Sequence, residues 1–298
     1  MSVLAIINGA AGGGRCGKKA KVALTRLRGT FPELTEAWTE GPADATRLAQ
    51  QAWDEGVRTF LSVGGDGTAF EVLNGLFPRA DGEDVPTLGY LPLGTGNSFV
   101  RDFNITDPAG AIAALESKQR RRVDVVRAEH DGGAFHFVNL CSVGFTAEAG
   151  DVTNRRFKAL GAGGYIAATL VTLARLKHPV FPIRLDEDSD WDRRPCALLS
   201  FSNSGFTGGT MNMAPGADPC DGQVDVIRVG DLGRARFLAT FPKIFAGTHT
   251  AAPNIEQRLA SRVDLDLDGP VDCMVDGEIL NVRLTKLTVL HHALEVLL

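Results

Sequence analysis

The sequence predicts an α/β protein of two domains. A doubly wound parallel-sheet domain spans 1–120, and a mostly antiparallel β-sandwich domain spans 121–298, with the extreme C-terminus able to return to the first. Three observations carry this prediction. Apolar runs of the fully buried type alternate with helix-like segments through the first third; near 118–124 the rhythm changes to short strand-like runs parted by Asp/Gly turns; and 298 residues suffice for two modest domains.

Val3–Ile7 is unbroken apolar sequence followed by Asn8 and glycines, as expected of a strand covered on both faces. Lys18–Leu27 reads as a helix. Gly41-Pro42 is a break, and Asp44 suits the N-cap of a helix reaching Trp53. Thr59–Val63 is a second β-type run, with a helix over Ala69–Phe77 behind it. Thr87–Leu93 is a third, and Asp107-Pro108 then opens another helix, Asp as cap and Pro in the first turn. Beyond 121 the strand-like runs are Val123–Ala128, Ala134–Leu140, Phe181–Leu185, Cys196–Ser202, Val224–Val229, Val263–Leu267, Val271–Asp276 and Ile279–Leu284. Helices are expected over Tyr165–Leu176 and Arg234–Phe245.

Composition narrows the function. Thirty-one Lys+Arg against 36 Asp+Glu leave a net charge of −5, which argues against a general nucleic-acid binder. An anionic ligand must be gripped locally. Five cysteines without a C-x-x-C pair argue against a disulfide framework or a cysteine zinc site, and for a reducing, cytoplasmic compartment. The N-terminus lacks a basic segment before its apolar run, so it does not read as a signal peptide. Tyr165–Leu176 is too short to span a bilayer and carries Arg175.

The glycines carry the chemistry. Gly64-Gly65-Asp66-Gly67-Thr68 and Gly94-Thr95-Gly96-Asn97-Ser98 each end a β-type run and lead toward a helix, as does the stretch from Asn8 to Lys19. Backbone without Cβ, next to helix N-termini, favours phosphate, and ligands of open α/β sheets bind at this edge. Gly12-x4-Gly17-Lys18 approaches a P-loop, but Lys19 stands where Ser or Thr must hold magnesium. Asp66, among three glycines, suits a magnesium ion or a nucleotide hydroxyl. Asp276-Gly277-Glu278 lies between β-type runs and reads equally as a plain hairpin turn. Asp218, Asp221 and nearby Asp225 suit a hard cation, or form a solvated acidic turn.

These residues resemble the catalytic domain of the diacylglycerol kinase / sphingosine kinase (lipid kinase) family, similar in length to its soluble bacterial members and sharing a fold with NAD kinases. Gly64–Thr68 matches the family's G-G-D-G-T, Pro92–Asn97 its P-x-G-T-x-N, Gly144-Phe145 its G-F, and Asp276–Glu278 its D-G-E. The sequence departs from the pattern after Asn8, where Pro is missing, at Phe70, where Asn is expected, and at Ser98, where Asp is common.

The resemblance implies an ATP-dependent lipid kinase with ATP in an interdomain cleft and Mg2+ as cofactor. Asn8, Thr39, Gly64, Gly65, Asp66, Gly67, Thr68, Glu71, Gly94, Thr95, Gly96 and Asn97 would contact the nucleotide. Asp276 or Glu278 would accept the proton of a lipid alcohol such as diacylglycerol. Asp66 would hold catalytic magnesium, and Asp218, Asp221 and the Gln223 backbone would hold structural magnesium. The basic runs Lys118–Arg122 and Arg155–Lys158 would give peripheral contact with the inner membrane face, or be solvated loops. The helix Tyr165–Leu176 would line an acyl pocket or be ordinary core. Exposed strand edges in the second domain would permit a homodimer. The alternatives are an NAD kinase, which shares G-G-D-G-T, and a catalytically inactive nucleotide- or lipid-sensing module, favoured by Phe70 and Ser98.

Overall fold

The computed structural model describes residues 2–77, 84–94, 96–145, 147–148 and 171–298. Two compact units emerge, Met1–Val125 with His291–Leu298, and Val126–Leu290. In the first unit, β1 (Val3–Ile7) buries Val3, Ala5, Ile6 and Ile7, leaving no polar face to turn to water. A single turn α1 (Ala11–Gly14) follows, with Gly12 and Gly13 at φ of 60° and 70°. Helix α2 (Cys16–Leu27) buries Cys16, Ala20, Ala23, Leu24 and Leu27, one stripe at helical spacing. Then come β2 (Leu34–Trp38), α3 (Asp44–Asp54), β3 (Thr59–Gly64), α4 (Asp66–Leu76), β4 (Thr87–Pro92) and α5 (Pro108–Ser117).

Strands β2, β1, β3 and β4 lie side by side in that order, all parallel. The last residues of the chain add a further parallel strand beside β4, Glu295 opposite Thr87 and Leu297 opposite Gly89. Helix α3 sits hard against α4 because residue 75 is glycine. A Cβ there would meet Thr46 O at 2.5 Å and Ala49 Cβ at 2.6 Å. Asp107 caps α5 as expected, accepting the Gly110 N–H at 2.8 Å. Asp44 does not cap α3; Ala43 holds the N-cap in a left-handed conformation, and Asp44 instead accepts from Glu40 N and Arg47 Nε. The basic run Lys118–Arg122 is exposed, with Arg120 and Arg122 drawn to Glu295.

The second unit is built from antiparallel strands. They are β5 (Arg120–His130), β6 (Gly133–Phe137), β7 (Leu140–Gly144), β8 (Ile183–Leu185), β9 (Leu198–Ser202), β10 (Phe206–Thr207), β11 (Met211–Asn212), β12 (Val224–Val229), β13 (Ile255–Ala260), β14 (Arg262–Leu265), β15 (Val271–Val275), β16 (Glu278–Val282) and β17 (Leu284–Leu297). One sheet runs β13-β12-β9-β7-β15-β16. The N-terminal part of β17 pairs with β14, which pairs with β8, while β5 and β6 form a hairpin. Strands β5 and β17 each cross the boundary between the units.

Several elements differ from expectation. The helix expected over Arg234–Phe245 is α-helical only over Arg234–Thr240 and continues as a 3-10 helix, Phe241–Ala246, because Pro242 cannot donate to the α-helical ladder. Strands β2, β13 and β17 escape a reading by apolar runs: Leu284–Leu297 buries Leu284, Leu287, Leu294, Val296 and Leu297 at irregular spacing. Residues 165–170 of the helix expected over Tyr165–Leu176, and all of Arg155–Lys158, lie outside the described residues. No helix among the described residues is long and apolar enough to cross a membrane.

His136, on β6 opposite Arg127, is 2 % exposed, and burial, with the Arg127 charge adding, pushes its pKa down to about 4. Between about pH 6.5 and pH 4 the unfolded chain takes up a proton that the folded one refuses. Stability is therefore expected to fall as pH falls through that window. Urea melts from pH 7 to pH 4 should show the decline, and His136→Gln should flatten it.

Candidate active site

The glycine loops converge at the C-terminal edge of the parallel sheet. Asn8 ends β1: its N–H bonds Val63 O, its Oδ1 takes the Ala10 N–H, and its Nδ2 reaches Thr68 Oγ1 at 3.3 Å. Thr39, just past β2, bonds back to Ile7 O through its amide at 2.9 Å. The loop after β4 is bonded onto the end of β3, with the amides of Leu93 and Gly94 both donating to Gly64 O at 2.8 and 2.7 Å. Glycine is required at 94. A Cβ there would fall onto Gly65 Cα and within 2.8 Å of Gly65 N, backbone atoms that cannot step aside.

Asp66 ties the two loops together. Its carboxylate accepts the Ser98 N–H through both oxygens, at 2.9 and 3.1 Å. Burial pushes its pKa up to about 6, against the lowering effect of the Ser98 and Asn97 hydrogen bonds. Gly96 passes so close that a Cβ would lie 2.7 Å from Asp66 Oδ2. The backbone amide makes this tie with any residue at 98, and the Ser98 hydroxyl adds a side-chain hydrogen bond to the same carboxylate. Asn97, left-handed at φ 53°, donates to Gly94 O, while its Oδ1 is buried without a partner among the described residues. Such an orphan is what a bound ligand satisfies. Gly64, Gly65, Asp66, Tyr90 and Asn97 line a small depression at this rim. Thr95 lies outside the described residues.

Glu71 points elsewhere. Its oxygens accept the N–H groups of Ala43 and Ala45 at 2.9 and 3.1 Å. A carboxylate at a helix start satisfies orphan donors and the helix dipole, so Glu71 anchors α3 against α4. Gly67 and Thr68 begin α4, whose first turn presents its amides to the rim.

In the second unit, Asp276-Gly277 is the two-residue turn of the β15–β16 hairpin, Val275 facing Glu278, with both turn residues at positive φ (44° and 91°). The plain-turn reading is therefore correct as local structure. Asp276, however, is not solvated: it is 3 % exposed, whereas Gly277 beside it is open to solvent. Its Oδ1 accepts the N–H groups of Asn139 and Leu140, and its Oδ2 that of Val138, all at 3.0–3.1 Å. That receiving segment is braced in turn by Asn203, whose Nδ2 donates to Val138 O, and by Ser204, whose Oγ bonds Asn139 Oδ1. Glu278, two residues on, is exposed. Reading the sequence missed Asn139 and Asn203, since no local pattern shows that they support residue 276.

Asp218 and Asp221 are exposed and bend their own loop, taking the amides of Cys220 and Gln223. Buried Asp225 accepts from Gln257 Nε2 at 2.6 Å; burial raises its pKa, and the nearby Asp221 charge adds to the rise. Carboxylate oxygens that repel one another in this way fit a hard divalent cation.

Residues that the sequence did not mark as pocket-lining wall an apolar cavity in the second unit. Phe145, Met211, Met213, Phe237, Phe241 and Ile244 are among its walls. Gly144, at φ 88° and with Ala197 O only 2.5 Å from where its Cβ would be, turns Phe145 inward, 4.5 Å between ring centroids from Phe237. The signal in the sequence was the apolar spacing Phe237, Phe241, Ile244, legible as a helix face but not as a cavity wall.

A family model described as the diacylglycerol kinase catalytic domain matches residues 2–128, and one described as the YegS C-terminal NAD kinase beta sandwich-like domain matches 139–298. The chain is 28 % identical over 298 residues to a diacylglycerol kinase of Mycobacterium tuberculosis (strain ATCC 25618 / H37Rv), covering 99 % of this chain and 94 % of that one. It is 30 % identical over 261 residues to a "Probable lipid kinase YegS-like" of Xanthomonas campestris pv. campestris (strain 8004), covering 83 % of each. A crystal structure from Bacillus anthracis str. Sterne, provisionally assigned as a diacylglycerol kinase, superposes with a TM-score of 0.80 at 26 % identity, over 99 % of this chain and 94 % of that one.

Proposed function

Because the chain belongs to the bacterial diacylglycerol kinase and YegS-like lipid kinase family, we propose that it transfers the γ-phosphoryl group of ATP to the hydroxyl of a membrane lipid such as diacylglycerol. The observation that carries the reading is the pair of glycine loops locked together at the sheet edge by Asp66 and the Ser98 amide. Phosphoryl transfer asks a protein mainly for alignment, charge stabilisation and a proton acceptor. The amides at the start of α4 hold the triphosphate, and the rim they belong to costs no reorganisation because the β4 loop is already bonded to Gly64 O and Gly94 rests on Gly65. Magnesium held at Asp66 would supply charge neutralisation, and Asp218, Asp221 and the Gln223 backbone would hold a separate, structural magnesium.

Asp276 and Glu278 then have different tasks. Asp276 has its oxygens taken by three backbone amides and holds the hairpin in place. Glu278, exposed at the first residue of β16, accepts the lipid hydroxyl proton as that oxygen bonds to the γ-phosphorus and ADP leaves. The apolar cavity behind Phe145 supports an acyl-bearing acceptor. The exposed run Lys118–Arg122 supports approach to an anionic bilayer surface.

A labelled-ATP assay against vesicles containing a panel of lipid alcohols, with NAD as a soluble competitor acceptor, tests this reading. Label is expected in a lipid phosphate. Label in NADP instead, or tight ATP binding with no turnover on any acceptor, would overturn it.

A further inference from the structure

The chain passes between its units at Val125–Val126 in β5 and at Leu290–His291 in β17. Beside both crossings lies a side-chain cluster that the kinase reading does not use. Asp124 has a completely buried side chain, whereas that of His291 is 53 % exposed. Asp124 Oδ1 takes the Nδ1 proton of His291 at 2.9 Å and the backbone N–H of His292 at 2.7 Å. A carboxylate only accepts, so this contact sets the His291 tautomer and leaves Nε2 as the unprotonated nitrogen.

Neighbouring residues of a strand normally face opposite sides of the sheet. His291 and His292 do not: their rings stack with centroids 3.7 Å apart and planes 24° from parallel. His292 holds φ at 55°, a conformation that residues other than glycine seldom adopt. The backbone there places both imidazoles on one side, over a buried carboxylate. One ligand atom each from Asp124, His291 and His292 lies within 4.8 Å of the others.

We propose that Asp124, His291 and His292 form a binding site for a borderline first-row divalent cation of the zinc type, tying β5 to β17 where the chain crosses between its units. Two imidazoles and one carboxylate are the donor set such ions prefer, whereas magnesium takes oxygen. The 2.9 Å between Oδ1 and Nδ1 is close to the roughly 3 Å that separates two ligands of one ion with bonds of about 2 Å. A cation bound by both atoms displaces the proton they share, and that proton moves to Nε2, so the neutral imidazole binds without losing its single N–H. The exposed His291 edge is the entry path, and three protein ligands leave a position for solvent. Because an ion held there joins two strands, loading is expected to raise the melting temperature of the whole chain.

The test is a cobalt titration of the full chain, stripped of metal by chelation and kept in excess magnesium, with neither nucleotide nor lipid present. One Co2+ per chain is expected, with visible absorption typical of nitrogen and oxygen ligands, displaced by equimolar zinc and not by magnesium. His291→Ala and His292→Ala should each weaken binding by roughly 10- to 100-fold. Absence of stoichiometric binding at micromolar cobalt, or binding that survives the double variant, would show that Asp124 merely holds the bend of β17 and would overturn the proposal. If a variant fails to fold, zinc titration of the wild type followed by histidine-ring NMR decides: one equivalent of zinc shifting the His291 and His292 ring signals supports the site, and unshifted rings overturn it. The readout is the metal alone, so it stands apart from the outcome of the lipid assay.

Discussion

Glu278→Gln is expected to lower kcat by roughly 10²- to 10⁴-fold, the usual loss when a positioned proton acceptor is removed. The substitution keeps the shape of an exposed side chain, so the β15–β16 hairpin and the fold should be untouched. ATP binding, which the reading gives to the first unit, should hold at its wild-type value. Asp276→Asn separates the two acids by a different readout. Its new NH2 group would face backbone donors that now end on a carboxylate, leaving at least one buried N–H without an acceptor. A loss of about 1–3 kcal/mol in stability is expected, together with lost activity. Single-turnover kinetics and denaturant melts of both variants check this assignment. Full turnover in Glu278→Gln would remove the residue from the mechanism.

Gly94→Ala is expected to weaken ATP binding by roughly tenfold to a hundredfold, while most of the chain folds as before. The added methyl has nowhere to go but onto Gly65, and overpacking of this kind costs about 1–3 kcal/mol. Relief requires the β4 loop to lift from β3, which breaks the Gly94 N–H bond to Gly64 O and pulls Ser98 from Asp66. Both loops are then displaced at once. Gly269→Ala, where nothing lies within 4 Å of the new Cβ, is the matching control. Calorimetric titration with ATP distinguishes the outcomes. Wild-type affinity in Gly94→Ala would mean that the triphosphate is not held by this rim.

The glycine loops were legible because their chemistry is local. A buried-type apolar run, a glycine cluster and a helix start are all written within about fifteen residues, and backbone sterics let few conformations satisfy that order. The same holds for the Asp276-Gly277 turn, which any Asp-Gly between two β-type runs would suggest. Glu71 shows the limit: it sits in the matching segment, yet its carboxylate ends on the start of α3 because two amides there lacked acceptors.

What residue order determined for this protein is which segments become strands of the first unit and where backbone is left open to phosphate, since both depend on side-chain size and on neighbours along the chain. Tertiary structure alone decided that Asp66 ends on the Ser98 amide, that Asp276 is buried against residues 138–140, that aromatic residues far apart in sequence wall one cavity, and that Asp124 meets His291. Each of these is a pairing across tens to hundreds of residues. Its energy comes from removing water around two groups that nothing in either local sequence brings together, and so it exists only once the strands carrying them have found their register.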